Sequence, residues 1–265
     1  PRYSDIDRSR WRDDDHVWTD SLWIIDSRDR SGGHALDYHG NFVPQIATQT
    51  FLRYTRENEV VLDLFLGSGT SAIEAVRLDR RLVGVELKPD LVAGVEEKIP
   101  PNLLGDRIHI LQGDATQAET ASQIRDTLSG MGTQRAQLLV LHPPYHDIIQ
   151  FSEQPADLSN ASDLDDFLDQ FAAVAGHGFD LLDPGRFAVL VIGDKYTKGE
   201  LIPLSFYCMD RMQEVGFRVK AVVVKNIEGN ERGKGRSSNL WRYRALAGGF
   251  YIFKHEYVMI FQKPE

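Results

Sequence analysis

The chain has 265 residues, 42% of them hydrophobic and 26% charged, which is enough to bury one substantial core and is ordinary for an α/β domain. It holds no run of eighteen or more apolar residues, so no membrane-spanning helix is expected. A single cysteine, Cys208, excludes an internal disulfide and a cysteine-based metal site. The net charge of −9 counts against a surface coated in positive charge for non-specific nucleic-acid binding.

The first residues, Pro1-Arg2-Tyr3-Ser4-Asp5, lack the basic-then-apolar order of a signal peptide, and a cytoplasmic protein is the simple expectation. Residues 1–35 are rich in Asp and Arg, with Trp11, Trp18 and Trp23 interspersed, and read as an irregular arm that docks by its aromatics. The remainder, 36–265, reads as one catalytic domain with a basic insertion around 226–250.

From Phe42 to Arg56 the pattern predicts a helix, with Ile46, Phe51, Leu52 and Tyr54 on a face after Pro44. Val60–Phe65 is short, β-branched and uncharged until Asp63, the mark of a buried strand. Leu66–Thr70 turns the chain into a helix over Ser71–Leu78. A strand at Arg81–Glu86, a helix at Pro89–Lys98 and a strand at Ile108–Gln112 follow. Next come a helix near Glu119–Ser129, a strand at Gln137–Leu141 and a helix near Asp163–Asp180. A strand at Arg186–Gly193, a helix at Pro203–Val215 and strands at Lys220–Val224 and Glu256–Phe261 complete the series. Strands alternating with helices at this rhythm define a doubly wound, mostly parallel α/β sheet. The two last strands, joined by the basic segment, are expected to pair antiparallel.

The first chemical signal is the loop Asp63-Leu64-Phe65-Leu66-Gly67-Ser68-Gly69-Thr70, between a strand and a helix. Ligands of doubly wound folds bind at the carboxyl ends of the strands. Glycines there admit close backbone approach and free the N–H groups of the helix start. Glu86, ending the next strand, suits ribose hydroxyls, and Asp114, ending the third, suits an adenine amino group. NAD and S-adenosylmethionine share these needs, and Ala72 at the third position of the dinucleotide fingerprint is allowed, so the loop alone leaves both open. Each acid has a bland alternative as a solvated strand end or a helix cap.

The second signal is His142-Pro143-Pro144-Tyr145, directly after the fourth strand. Two prolines fix two φ angles and remove two donors. The carbonyls beside them stay free as acceptors, and Tyr145 offers a flat face. A rigid acceptor beside a stacking ring is what holds a planar amine. The bland alternative is a rigid turn with a packed tyrosine.

The two loops in this order resemble those of the DNA amino-methyltransferases, which make N6-methyladenine or N4-methylcytosine. His39-Gly40-Asn41-Phe42-Val43-Pro44 resembles the segment that precedes the glycine loop in that family and closes over the cofactor's methionine end. His255-Glu256-Tyr257-Val258-Met259-Ile260-Phe261 resembles its final strand. The similarity spans roughly residues 34–265. It implies a Rossmann-like methyltransferase fold, S-adenosylmethionine as cofactor and DNA as partner. Asn41, Phe42, Pro44, Asp63, Phe65, Gly67, Ser68, Gly69, Thr70, Glu86 and Asp114 would bind the cofactor. His142, Pro143, Pro144 and Tyr145 would be catalytic, and no metal is implied.

His142 departs from the family, which usually has Asp, Asn or Ser at that position. A neutral imidazole also accepts a hydrogen bond from an amine; a protonated one does not. The departure leaves adenine and cytosine both open as target. Methylation of cytosine carbon 5 needs a cysteine nucleophile, and Cys208 has no active-site signature around it.

Between Arg218 and Lys254 stand nine Lys or Arg and only two acids, Glu228 and Glu231. A solvated surface loop is the bland account of such a run. Arg232, Lys234 and Arg236 lie in a glycine-rich stretch, and Trp241, Arg242 and Arg244 add stacking groups to positive charge, a pattern suited to nucleic acid. Residues 146–162 are a second candidate for that role. No long domain for reading a DNA sequence is visible, so specificity would come from these segments, a second copy of the chain as a homodimer, or a separate specificity partner. The rivals are an RNA base amino-methyltransferase, a non-catalytic DNA-binding subunit of the same fold, and an NAD-dependent oxidoreductase, in which the Pro-Pro-Tyr loop would have no role.

Overall fold

The computed structural model describes residues 3–13, 15–31, 41–144, 157–197, 199–227 and 239–265. The elements in chain order are β1 (Leu22–Trp23), α1 (Pro44–Tyr54), β2 (Val60–Asp63), α2 (Thr70–Arg77), β3 (Arg81–Glu86), α3 (Pro89–Glu96), β4 (Ile108–Gln112), α4 (Ala118–Gly130) and β5 (Ala136–Leu141). They continue with α5 (Leu164–Leu181), β6 (Leu182–Ile192), β7 (Lys195–Thr197), β8 (Glu200–Ile202), α6 (Leu204–Val215), β9 (Arg218–Asn226), α7 (Asn239–Gly248) and β10 (His255–Gln262).

Eight strands form one sheet in the order β1-β9-β10-β6-β5-β2-β3-β4. Strands β2 to β6 run parallel, and β10 runs antiparallel to both β6 and β9. The two last long strands therefore pair as the sequence suggests. Beyond them lies β1, which the arm adds in parallel to β9, with Leu22 opposite Val224 and Trp23 opposite Lys225. Ile25 continues this contact through a side chain: its N–H donates to Asn226 Oδ1 (2.7 Å), and Asn226 Nδ2 donates back to its carbonyl (3.1 Å).

Both faces of the sheet are covered, which is why the central strands read as apolar runs rather than alternations. Leu62, Val83, Leu139, Leu141 and Leu190 face one core with Ile124 of α4, Phe167 and Phe171 of α5, and Cys208 and Met212 of α6. Their neighbours Val61, Leu82, Leu138, Val140 and Val189 face a second core with Ile46 and Phe51 of α1, Ile73 of α2, and Trp23 and Ile25 of the arm. Cys208 is thus a core residue, and burial pushes its thiol pKa far above the usual range.

Three features depart from the expected elements. β6 begins at Leu182 rather than Arg186, because α5 passes into it without a loop; its first residue bridges Ala136 of β5. A small hairpin, β7–β8, follows β6. Part of the basic segment is helical, as α7, none of whose residues is buried. No helix among the described residues is long and apolar enough to cross a membrane.

Candidate active site

The strand order fixes where a ligand can sit. From β2 the chain crosses outward through β3 to β4, then returns and goes the other way through β5 to β6. Neighbours β2 and β5 therefore send their following loops apart and leave a crevice at their carboxyl ends, the topological switch point of such sheets. Both loops singled out in the sequence leave from these two strands. Leu62 lies opposite Leu139 and Asp63 opposite Val140, and the Leu64 N–H donates to the Val140 carbonyl (3.3 Å).

The loop after β2 turns on two glycines in the left-handed region, Gly67 (φ 57°) and Gly69 (φ 90°). A side chain at Gly69 would also meet Val95 of α3, 2.6 Å from the position of an added Cβ. α2 starts at once after Gly69, so its first N–H groups face the loop.

Glu86, at the end of β3, holds this loop as well as bordering it. Its Oε2 accepts from the Gly67 N–H (2.8 Å) and its Oε1 from the Lys88 N–H (2.9 Å). Burial raises its pKa, against the lowering effect of those amides. Each oxygen keeps a lone pair for a ligand hydroxyl. Asp114 closes the turn after β4: its Oδ1 accepts from the N–H (2.9 Å) and hydroxyl (2.7 Å) of Thr116, and its Oδ2 from Gln117 Nε2 (3.2 Å). Asp114 thus folds the turn and still borders the crevice.

Asp63 is fully buried. Its Oδ1 accepts from the Phe65 N–H (2.9 Å), while its Oδ2 has no hydrogen bond of normal geometry among the described residues. Burial pushes its pKa up to about 6, offset in part by the Ser71 hydroxyl of α2 and the Phe65 amide. Burial of this kind favours the protonated carboxyl.

The segment before α1 ties the two loops together. Asn41 Nδ2 donates to the Ser68 hydroxyl in the glycine loop. The Phe42 ring meets the His142 imidazole edge to face, with centroids 5.3 Å apart. Pro143 is buried, and His142 and Pro144 are half-buried at the mouth of β5. So Asn41, Phe42, the 63–70 loop, Glu86, Asp114 and His142–Pro144 form one continuous edge. Tyr145, Arg232, Lys234, Arg236 and residues 146–156 lie outside the described residues.

Trp241, Arg242 and Arg244 lie on α7. The Arg244 guanidinium sits over the Trp241 ring at 5.2 Å. Sequence reading missed Lys98, whose ammonium donates to the Ser68 carbonyl from outside the loop (3.1 Å). It also missed Val95, whose contact makes Gly69 obligatory. Neither carries a motif, since each acts through its place on or just after α3.

These features define a Rossmann-like methyltransferase fold with its two motif loops at the switch point. At the level of fold, the structure aligns with a methyltransferase from Pyrococcus furiosus (TM-score 0.51, 14% identity, covering 87% of this chain and 89% of that one). It aligns also with TrmN from Thermus thermophilus (TM-score 0.50, 16% identity, 84% of this chain and 49% of that one). In sequence, residues 2–97 match the family model described as DNA methylase, of the N6/N4 type. The Type II methyltransferase M.Cfr9I of Citrobacter freundii is 31% identical over 72 residues, 27% of this chain. The chain covers 23% of that relative's length. The resemblance to the DNA amino-methyltransferases holds over this first part, which contains the glycine loop and Glu86.

Proposed function

We propose that this chain is an S-adenosylmethionine-dependent methyltransferase that modifies the exocyclic amino group of cytosine (N4) or adenine (N6) in DNA. The observation that carries the reading is the meeting of the glycine loop and the His142–Pro144 turn at one switch point, bridged by Asn41 and Phe42. An NAD-dependent oxidoreductase would need the first loop but not the second.

The residues present fit the cofactor. The Gly67–Gly69 backbone admits close approach, Glu86 has lone pairs for ribose hydroxyls, and the buried Asp63 carboxyl holds the Phe65 N–H at the start of the loop. Asp114 borders the adenine end, Phe65 and Thr70 frame the loop, and Pro44 starts α1 beside Phe42. When bound, the cofactor supplies an electrophilic methyl group on a sulfonium. The protein then orients the acceptor. The target base leaves its stack at a cost of a few kcal/mol, and Tyr145 stacks on it. His142 and the Pro143 carbonyl accept hydrogen bonds from its amino group, aim the nitrogen lone pair, and exclude water. No covalent bond to the enzyme forms, so alignment supplies much of the rate.

The division into an arm (1–35) and a catalytic domain (36–265) with a basic insertion (226–250) belongs to this reading. Arg232, Lys234, Arg236, Trp241, Arg242 and Arg244 serve the nucleic-acid phosphates and bases. Calorimetric titration tests the cofactor assignment: S-adenosylmethionine binds with one site per chain, Glu86→Ala weakens it at least tenfold, and NAD gives no heat. Binding of NAD and not of S-adenosylmethionine would overturn it.

A further inference from the structure

The chain leaves β9 and enters β10 at the carboxyl edge of the sheet. His255 opens β10 opposite Asn226, the last residue of β9, and Tyr257 lies opposite Ile192, the last residue of β6. On the other side of β6, Leu141 pairs with Leu190 just before His142. The start of β10 and the end of β5 therefore flank the same strand end, about 10 Å apart at two strand spacings.

The strap between β9 and β10 is anchored at its end. The Tyr196 ring of β7 stacks on Phe253 (4.8 Å, 22°) and packs against Phe250 (4.9 Å). The Tyr251 N–H donates to Tyr196 Oη (3.4 Å). Between the two anchored phenylalanines, the Tyr251 side chain points outward and is 87% exposed, more than any other large apolar side chain among the described residues. On the same strap Trp241 is 48% and Tyr243 69% exposed, beside Arg242 and Arg244. No Asp or Glu stands between Glu231 and Glu256. An aromatic ring held out by a fixed backbone, in a basic and acid-free stretch that leads into β10, matches the chemistry of a nucleobase on a phosphate chain.

We infer that Tyr251 is a base-stacking residue, on which a nucleobase of the bound strand rests. The inference rests on the nucleic-acid substrate proposed above and adds a contact to it. The ring needs no hydrogen bond to do this, so Tyr251→Phe keeps the function and Tyr251→Ala loses it.

The test measures binding of a fluorescent single-stranded 20-mer of thymidylate, with heparin as a base-free polyanion, to wild type, Tyr251→Phe and Tyr251→Ala. Calorimetry with S-adenosylmethionine checks that each variant keeps its cofactor site. The expected result is a loss of about tenfold on the 20-mer for Tyr251→Ala, the size of one stacked base, with Tyr251→Phe within about twofold of wild type and heparin binding unchanged in all three. Wild-type affinity of Tyr251→Ala for the 20-mer, or an equal loss on heparin, would overturn the inference and leave the methyltransferase reading standing. Failure of the wild type to bind any DNA, with cofactor binding intact, would remove the substrate reading and the inference with it.

Discussion

Gly69 and Asp63 carry the local chemistry of the crevice, each through burial that neighbouring helices impose. At Gly69 a side chain would have to adopt φ 90° and enter Val95. Gly69→Ala is expected to cost about 1–2 kcal/mol of stability and to weaken S-adenosylmethionine at least tenfold; chemical denaturation and calorimetry read the two effects separately. Asp63 makes stability depend on pH. Its carboxyl pKa is raised to about 6 in the fold, against about 3.9 in the unfolded chain. Below about pH 4 both states hold the proton. Between about 4 and 6 only the unfolded chain releases it, so stability falls as pH rises, by up to about 3 kcal/mol, and stays lower above 6. Asp63→Asn removes this slope. Compared with wild type, it should gain stability from about pH 4 to about pH 6.5 in urea melts. A difference independent of pH would contradict the assignment. The glycines and Glu86 were legible because their spacing is a motif. The state of Asp63 was not, since it depends on α2 closing over it.

At the level of elements, β9 and β10 hold a buried ion pair. Lys225 Nζ donates to Glu256 Oε1 (2.9 Å) across directly opposed positions. Removing one partner leaves the other charged and buried, so Glu256→Ala should destabilise by about 3–5 kcal/mol. Lys225→Met combined with Glu256→Met should recover most of that loss. A single variant as stable as wild type in thermal melts would show that the pair is not enclosed as described. The pair was hidden in the sequence: an acid and a lysine 31 residues apart have no spacing rule, and their register depends on β10 lying between β6 and β9. The long apolar strands and amphipathic helices were readable because their periodicity is the packing itself. α7 was not, since Asn239–Gly248 has no apolar stripe and buries nothing. β1 escaped for a related reason: two residues are too short to show a period, and Trp23 is fixed by β9 and α1.

At the scale of the whole molecule, charge and chemistry are arranged together. The chain is acidic, while the segment between β9 and β10 is basic, and β9 ends and β10 begins at the carboxyl edge of the sheet. Binding to DNA should then be local and salt-sensitive. Arg242→Glu combined with Arg244→Glu should lower affinity by at least tenfold at low salt and flatten the dependence of affinity on salt, while cofactor affinity stays unchanged. Equal salt slopes for variant and wild type would place the contact elsewhere. The order of the two loops was visible in the sequence, and the sheet order adds why they meet. β3 and β4 separate β2 from β5 along the chain, yet β2 and β5 are neighbours in the sheet, with Asp63 opposite Val140. The most direct measurement incubates the protein with unmodified genomic DNA and S-adenosylmethionine carrying a labelled methyl group, then digests to nucleosides for mass spectrometry. Label in N4-methylcytosine or N6-methyladenine, lowered about 10²-fold by His142→Ala, is the predicted result; no label in either nucleoside, with cofactor binding intact, would contradict it.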